Sequence, residues 1–201
     1  MAEKIKVAVI GSNSFSGSDF IDLLLEKKRY SVIGISRSIE KSSLFLPYLK
    51  RPLDDFKFHR MDLNRDMEGI IALLDSWKPR YIINFAAQSE VAPSWDYPEQ
   101  WFFTNAAAVA QLCNFLKGCK WLKRYVHISS PEVYGTCLGT IKEDAALNPS
   151  TPYAASKAAG DLFLFTLVKN FWFPSCNDSF YKCIRGASTA FQDYTQINYL
   201  Y

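Results

Sequence analysis

The sequence lacks several features that would point to other classes of protein. Its 201 residues carry a net charge of only +3 and no run of lysine and arginine, which argues against a nucleic-acid partner. No apolar stretch is long enough to span a membrane, and Met1 to Lys6 is charged where a signal peptide needs an apolar core. These absences predict a cytoplasmic protein with no membrane partner.

Cysteine pairs are also lacking. The five cysteines are odd in number and contain no Cys-x-x-Cys pair; they stand at positions 113, 119, 137, 176 and 183. This usage is typical of reduced thiols in a cytosolic protein, and it predicts neither a disulfide framework nor a metal site.

Short apolar runs alternate with helical patterns along a chain that is 49% hydrophobic and 21% charged. Strands are predicted at Lys6–Ile10, Tyr30–Ser36, Phe56–His59, Tyr81–Phe85 and Lys123–Ser129. Helices are predicted from Phe20 onward and at Met67–Trp77, Gln100–Lys117 and Tyr153–Asn170. This rhythm predicts an α/β fold with a doubly wound parallel sheet of order 3-2-1-4-5. A ligand crevice is expected where the order reverses, between strands 1 and 4.

A glycine-bracketed turn, Gly11-Ser-Asn-Ser-Phe-Ser-Gly17, follows the first strand. Such a turn directs free backbone amides and a positive helix end at an anion, which favours a dinucleotide. The candidate cofactor-binding residues in it are Gly11, Asn13, Ser14, Phe15 and Gly17. A plain strand–turn–helix is the alternative, and serine at position 14, where a third glycine is usual, leaves the cofactor affinity open.

The end of the second strand bears on which cofactor is bound. An acidic residue there would select NAD, whereas Ser36-Arg37 favours NADP over NAD. Arg37 is otherwise a solvated surface residue. Asp62, after the third strand, is a candidate acceptor for the adenine amino group, with a turn-forming aspartate as the alternative.

Tyr153 and Lys157 lie four residues apart on a predicted helix and therefore point from the same face. A cation beside a phenol lowers the phenol pKa, and such a tyrosine acts as a base toward an alcohol. An ordinary helix start is the alternative interpretation of this short pattern.

Five motifs together resemble the extended short-chain dehydrogenases, the NAD-dependent epimerase/dehydratase family. They are Gly11-x-x-Ser14-x-x-Gly17, Asp62-Leu63, Asn84-Phe-Ala-Ala-Gln88, Ser129-Ser-Pro-Glu-Val-Tyr-Gly135 and Tyr153-x-x-x-Lys157. The resemblance spans residues 5 to about 174 and is strongest to sugar-nucleotide 4,6-dehydratases of the dTDP-glucose or GDP-mannose type. It implies a Rossmann domain over residues 1–174 and a nucleotide-sugar substrate.

The resemblance also implies a role for each matching residue. Tyr153 takes the proton of the sugar 4-hydroxyl while hydride leaves C4 for NAD or NADP, and Ser130 hydrogen-bonds that hydroxyl. Lys157 lowers the Tyr153 pKa and holds the nicotinamide ribose. Glu132 removes the C5 proton, water leaves from C6, and hydride returns there. The remaining implied contacts are Leu63, Ala86 and Ala87 to the cofactor and Gln88 to the substrate.

Other interpretations stay open at this point. Pro131 stands where the dTDP-glucose enzymes have an aspartic acid, and proline cannot protonate the hydroxyl that departs in the elimination step. A sugar-nucleotide 4-epimerase would need Tyr153, Lys157 and Ser130 without Glu132, and an inactive cofactor-binding remnant would need none of the chemistry. Asn105 either supports the site or is a buried structural residue.

Full family members often pair through two helices as a four-helix bundle, which implies a homodimer here. The helices in question are those near 100–117 and 153–170. Their candidate pairing residues are Trp101, Phe102, Phe163 and Leu167, although burial against the sheet is equally compatible.

The resemblance ends after Pro174, and the tail has no clear periodicity. One codon choice for residues 175–196, read one base later, gives Val-Val-Met-Ile-Arg-Phe-Thr-Asn-Val-Tyr-Gly and a further stretch typical of the family. We therefore expect residues 175–201 to be an out-of-frame tail, without the sixth strand and the substrate-binding domain. Sequencing the gene across the Pro174 codon tests this, and weak cofactor binding and low turnover are the expected consequences.

Overall fold

The computed structural model describes residues 3–136, 140–142, 144–171 and 173. Five parallel strands form one sheet in the order β3-β2-β1-β4-β5. They are β1 (Ile5–Ile10), β2 (Tyr30–Ser36), β3 (Phe56–Arg60), β4 (Tyr81–Asn84) and β5 (Arg124–His127). The predicted fold class and strand order are thus confirmed, with β4 and β5 shorter than expected.

The helices cover both faces of this sheet. They are α1 (Phe15–Glu26), α2 (Met67–Trp77), α3 (Pro98–Phe102), α4 (Ala108–Leu116) and α5 (Pro152–Asn170). Val7 and Val9 belong to the same buried cluster as apolar residues of α1. Ala8 and Ile10 belong to a second cluster with residues of α2, α4 and α5. Burial on both faces explains why the central strand β1 is a largely apolar run, whereas the edge strand β3 is half-buried and carries Lys57 and His59.

The long helix predicted over residues 100–117 is helical without a gap from residue 98 to residue 116, but it is not α-helical throughout. A π-helical turn, Phe103–Ala107, separates α3 from α4 and carries the buried Asn105. Helix α5 packs closely on this turn, since a Cβ on Gly160 would lie 2.5 Å from the Asn105 carbonyl oxygen. Single π turns inside α-helices are frequent at functional sites, and here the turn brings a polar side chain into the interior.

The predicted pairing residues are only partly on the surface. Trp101 and Leu167 are 2% and 4% exposed, so they face the interior and do not lie on an outer helix face. Phe102 is exposed and Phe163 is half-buried. Their inclusion as surface pairing residues is therefore wrong for Trp101 and Leu167, and the homodimer itself stays a prediction.

Two further points concern the extent of the chain. In the part that the structure describes, no helix combines the length and the apolar character needed to cross a bilayer. The boundary at residue 174 and the predicted out-of-frame tail, 175–201, lie outside the described residues.

Candidate functional site

Both glycines of the first turn are required by close backbone packing. Gly11 has a φ of +83°, and a Cβ on it would lie 2.5 Å from the Ala86 nitrogen. A Cβ on Gly17 would lie 2.3 Å from the Gly11 carbonyl oxygen. The turn therefore packs against the end of β4 and leads directly into α1. Free amides at such a helix start are suited to a pyrophosphate.

Ser14, the residue in place of a third glycine, caps α1. Its Oγ accepts from the Gly17 backbone N–H at 3.1 Å and donates to the Gly11 carbonyl oxygen at 2.7 Å. The serine thus closes the turn by a side-chain hydrogen bond. Phe15, the next predicted residue, is 79% exposed at the edge of the turn.

Asn13 joins the turn to the segment after β2. Its Nδ2 donates to the Ser38 carbonyl at 3.0 Å, the Ser38 hydroxyl at 3.2 Å and the Ile39 carbonyl at 2.9 Å. Its buried Oδ1 has no hydrogen-bond partner among the described residues. The predicted cofactor residue Arg37 lies on this segment, exposed, and its carbonyl accepts from Arg60 Nε at 3.3 Å.

A cavity of about 610 Å³ opens beside Arg37. It brings together four of the predicted site residues: Arg37, Asp62, Leu63 and Gln88. Asp62 also forms a local turn, because its Oδ1 accepts from the Asn64 N–H at 2.8 Å. Asp62 thus forms a local turn and also lines the cavity, so its two interpretations are compatible with each other.

The segment after β4 is held at both ends by asparagine side chains. Asn84 Oδ1 accepts from the Ala86 N–H at 3.0 Å. Asn105 accepts from the Gln88 N–H and donates to the Gln88 carbonyl, both at 2.9 Å. These contacts fix the backbone around the half-buried Ala86 and Ala87, and they are compatible with both interpretations of Asn105, as a buried structural residue and as a support of the segment that carries Gln88.

Asn105 also connects this segment to α5, through a residue that the sequence interpretation missed. Its Nδ2 donates to Ser156 Oγ at 2.9 Å, and Ser156 Oγ donates to the Tyr153 carbonyl at 2.7 Å. Ser94, a second missed residue, accepts from the Tyr153 N–H at 3.2 Å. Ser156 lies between Tyr153 and Lys157 in the sequence, so its position was a usable signal; Ser94 gave none.

Tyr153 and Ser130 come together as predicted. Both are buried, at 8% and 7% exposure, and the Ser130 hydroxyl hydrogen-bonds the Tyr153 phenol. Burial raises the Tyr153 pKa, the Ser130 hydrogen bond opposes this, and the charges of Glu132 and Asp161 raise it further. The expected lowering of the Tyr153 pKa is therefore wrong for this structure, because burial outweighs the stabilisation of the phenolate.

Lys157 points toward the end of β5. It is 1% exposed, and its Nζ donates to the Ile128 carbonyl at 2.6 Å and lies 3.4 Å from His127 Nε2. Burial lowers the Lys157 pKa to about 8, while the charge of Asp161 opposes that shift. The ammonium is thus anchored at the end of β5, and its charge is sensitive to its surroundings near neutral pH.

Glu132 lies differently from expectation. An extended backbone was predicted to carry Ser130 and Glu132 in the same direction, but a 3₁₀ turn, Pro131–Tyr134, begins directly after Ser130. Pro131 favours this turn start, and Ser130 Oγ caps it by accepting from the Glu132 N–H at 3.3 Å. Glu132 is exposed, yet its charge still raises the Tyr153 pKa.

Comparisons with known proteins place this geometry in a family. The family model for GDP-mannose 4,6 dehydratase matches residues 9–186, which passes the boundary predicted at residue 174. GDP-mannose 4,6 dehydratase of Drosophila melanogaster is 30% identical over 183 residues, covering 86% of this chain and 46% of that protein. UDP-glucose 4-epimerase of Mycolicibacterium smegmatis is 29% identical over 176 residues, covering 86% and 54%.

A solved structure shows the same architecture. The UDP-glucuronic acid 4-epimerase of Bacillus cereus, in complex with UDP-glucuronic acid and NAD, has a TM-score of 0.74 and 28% identity, covering 85% of this chain and 55% of that one. The chain spans about half the length of the curated relatives it matches. It belongs to the GDP-mannose 4,6 dehydratase family of NAD-dependent epimerases and dehydratases.

Proposed function

We propose that the chain carries the oxidoreductive half of a sugar-nucleotide 4,6-dehydratase. The observation that supports this most is the hydrogen bond between Ser130 and Tyr153, with Lys157 buried one helical turn away. Parallel strands direct their carboxyl ends to one edge of the sheet, so this pair shares an edge with the turn at Gly11. An alcohol-oxidising site and a nucleotide site therefore adjoin one another.

The residues present fit a nicotinamide dinucleotide. The turn leaves no room for a Cβ at Gly11 or Gly17, and the start of α1 that follows it is suited to a pyrophosphate. Asp62 and Leu63 line the cavity on the adenine side, with Arg37 favouring NADP over NAD. A bound nicotinamide would supply the redox chemistry, as the acceptor of hydride from the sugar C4 and the donor of hydride to C6.

Tyr153 is the proposed base for the sugar 4-hydroxyl. Because burial raises the Tyr153 pKa, the phenol is neutral near pH 7 and must lose its proton before it can act. Oxidation is therefore expected to accelerate as the pH rises. Ser130 already donates to the tyrosine oxygen and would orient the hydroxyl, and Lys157 would hold the nicotinamide ribose.

Glu132 is the proposed base for elimination. A ketone at C4 makes the C5 hydrogen acidic, so a carboxylate is needed only after oxidation. The proton removed from C5 and the hydroxyl that leaves C6 together make one water. When hydride adds at C6, C5 regains one proton, which balances the proton that Tyr153 took from the 4-hydroxyl. Pro131 supplies no proton to the departing hydroxyl, so the carboxyl group of Glu132 is the acid available on this turn.

A 4-epimerase is the second candidate, favoured by Pro131 and by the exposure of Glu132. Epimerisation needs Tyr153, Ser130 and Lys157 but no carboxylate base. A third candidate, from another class, is an inactive remnant that binds the cofactor alone and needs none of the proposed catalytic groups.

Two measurements separate the three candidates. Isothermal titration with NADPH and NADH comes first, followed by product analysis on a panel of sugar nucleotides. A 4-keto-6-deoxy product that disappears in Glu132→Gln supports the dehydratase, whereas a 4-epimer formed equally by Glu132→Gln supports the epimerase. Binding without any product indicates the remnant, and absence of nucleotide binding overturns all three.

A further inference from the structure

Asp161 is a buried acidic residue on the helix that carries Tyr153 and Lys157. The proposed chemistry does not use it. It lies on α5 one helical turn after Lys157 and is 1% exposed. The Ser129 hydroxyl donates to its Oδ2, and its Oδ1 lies 4.0 Å from His127 Nε2. The same His127 nitrogen lies 3.4 Å from Lys157 Nζ, so one imidazole contacts both charged side chains.

The charges around Lys157 come from few groups. Among the described residues that face it, His127 on β5 is neutral near pH 7, because burial and the lysine charge hold its pKa well below the ordinary value. Tyr153, on its own helix, is a neutral phenol. Asp161 is the group whose charge favours the ammonium form of Lys157. A buried ammonium without a nearby anion carries a large desolvation cost.

Asp161 is also connected to Ser130, through a hydrogen bond to the preceding residue. Ser129 directly precedes Ser130, and its hydroxyl is fixed on the carboxylate of Asp161. Ser130 in turn caps the 3₁₀ turn that carries Glu132. The carboxylate therefore joins α5 to the segment that follows β5.

We propose that Asp161 is a positioning residue of the candidate site: its carboxylate keeps the Lys157 ammonium charged and fixes Ser129, and with it Ser130, at the end of β5. The proposal rests on the proposed function, because the charged Lys157 would hold the nicotinamide ribose. The charge on Lys157 can nevertheless be measured without any cofactor.

Lysine titration by NMR tests the electrostatic part. In the full chain labelled with ¹³C-lysine, the ε-methylene signal absent from Lys157→Gln reports residue 157. Its midpoint is expected near pH 8 in the unmodified protein. Asp161→Asn keeps an oxygen acceptor for Ser129 but removes the charge, and it should lower the midpoint by about one pH unit or more. Equal midpoints would overturn the proposal.

Two control variants separate charge from structure. Ser129→Ala removes the hydrogen bond and keeps the charge, so the midpoint should stay near that of the unmodified protein. Asp161→Glu keeps the charge on a longer side chain and should restore most of the shift. If Asp161→Asn does not fold, the lysine titration of the unmodified protein decides. A Lys157 that is already neutral at pH 7 in that protein overturns the proposal.

Nucleotide binding gives the second measurement. At pH 7, Asp161→Asn should bind NADPH about twofold more weakly if its Lys157 midpoint lies near pH 7, and still more weakly if the midpoint is lower, with recovery toward pH 6 as Lys157 regains its proton. Loss of affinity that is equal at both pH values contradicts the electrostatic role. If the unmodified protein binds no nucleotide, the proposed function fails, while the lysine titration still decides the role of Asp161.

Discussion

The two halves of the candidate site are built by opposite means. The phosphate turn depends on missing side chains: at Gly11 and Gly17 an added Cβ would lie 2.5 and 2.3 Å from backbone atoms. The catalytic half depends on buried polar side chains, among them Asn105, Lys157 and Asp161, each about 1% exposed. The phosphate turn is therefore sensitive to an added side-chain atom, whereas the catalytic half is sensitive to the loss of a hydrogen-bond partner.

This difference has consequences for stability and for binding. A steric clash with backbone cannot be relieved by a side-chain rotation, so it disrupts the turn itself. When a buried polar group loses its hydrogen-bond partner, the protein keeps its fold, but the unpaired group carries a desolvation penalty. Single substitutions in the two halves should therefore differ in how much they lower the stability and in whether they abolish nucleotide binding.

The largest effect is expected at the phosphate turn. Gly11→Ala places a Cβ against the end of β4 at a positive φ, so we expect a loss of about 4 kcal/mol in the free energy of unfolding. Urea denaturation followed by circular dichroism measures it. NADPH binding should be lost as well.

The matched control is Gly69→Ala, in helix α2. A Cβ there meets its nearest neighbour, Met61 Cε, at 3.8 Å, which is ordinary contact. This variant should gain about 0.5–1 kcal/mol, because alanine favours a helix interior over glycine. Equal stability changes at the two positions would contradict the steric account of Gly11.

The second effect belongs to the polar half. Asn105→Ala removes contacts to the Gln88 N–H, the Gln88 carbonyl and Ser156, so we expect a loss of about 3 kcal/mol in the free energy of unfolding. Asn114→Ala, at an exposed asparagine bonded to Lys117, should change it by less than about 0.5 kcal/mol. Similar losses in both variants would show that burial is not the cause.

The third effect depends on pH. His127 is buried and neutral with its pKa well below 6.5, so in acid the unfolded state binds a proton that the folded state excludes. The contribution of His127 to stability is therefore fully present above pH 6.5 and falls by about 1.4 kcal/mol per pH unit below it. Urea midpoints at pH 7 and 5.5 measure this. His127→Gln should flatten the profile, and an unchanged profile in that variant contradicts the assignment to His127.

The smallest effect is expected outside both halves. Lys4 and Asp55 form an ion pair whose side chains are 42% and 30% exposed. Lys4→Met should lower the free energy of unfolding by less than about 1 kcal/mol, and less still in high salt. A loss as large as that of Asn105→Ala would remove the contrast between buried and exposed polar contacts.

The candidate residues predicted from the sequence sit in local motifs, whereas residues that are brought together only by the tertiary fold were not predicted. Tyr153, Lys157 and Ser130 were predicted because their spacing and their motifs are readable along the chain. Ser94 and Asp161 were missed, since each acts on a residue that another element carries. The π turn at Asn105 was also missed, because the apolar pattern of a helix continues through it.

Residues that share one helix can still be misjudged. The pattern predicted a lowered pKa for Tyr153 from the neighbouring Lys157, yet burial raises it. How deeply a side chain is buried depends on every element packed around it, and spacing along one helix carries no such information.

The sequence alone determined the parallel sheet, its strand order and the glycine turn, because each follows from periodicity and from steric limits that act between near neighbours. Only the tertiary structure decided the protonation of Tyr153 and Lys157, the turn that exposes Glu132 and the partners of Asp161. Electrostatics and desolvation depend on distances through space, and these distances are set when the strands, α5 and the π turn pack together.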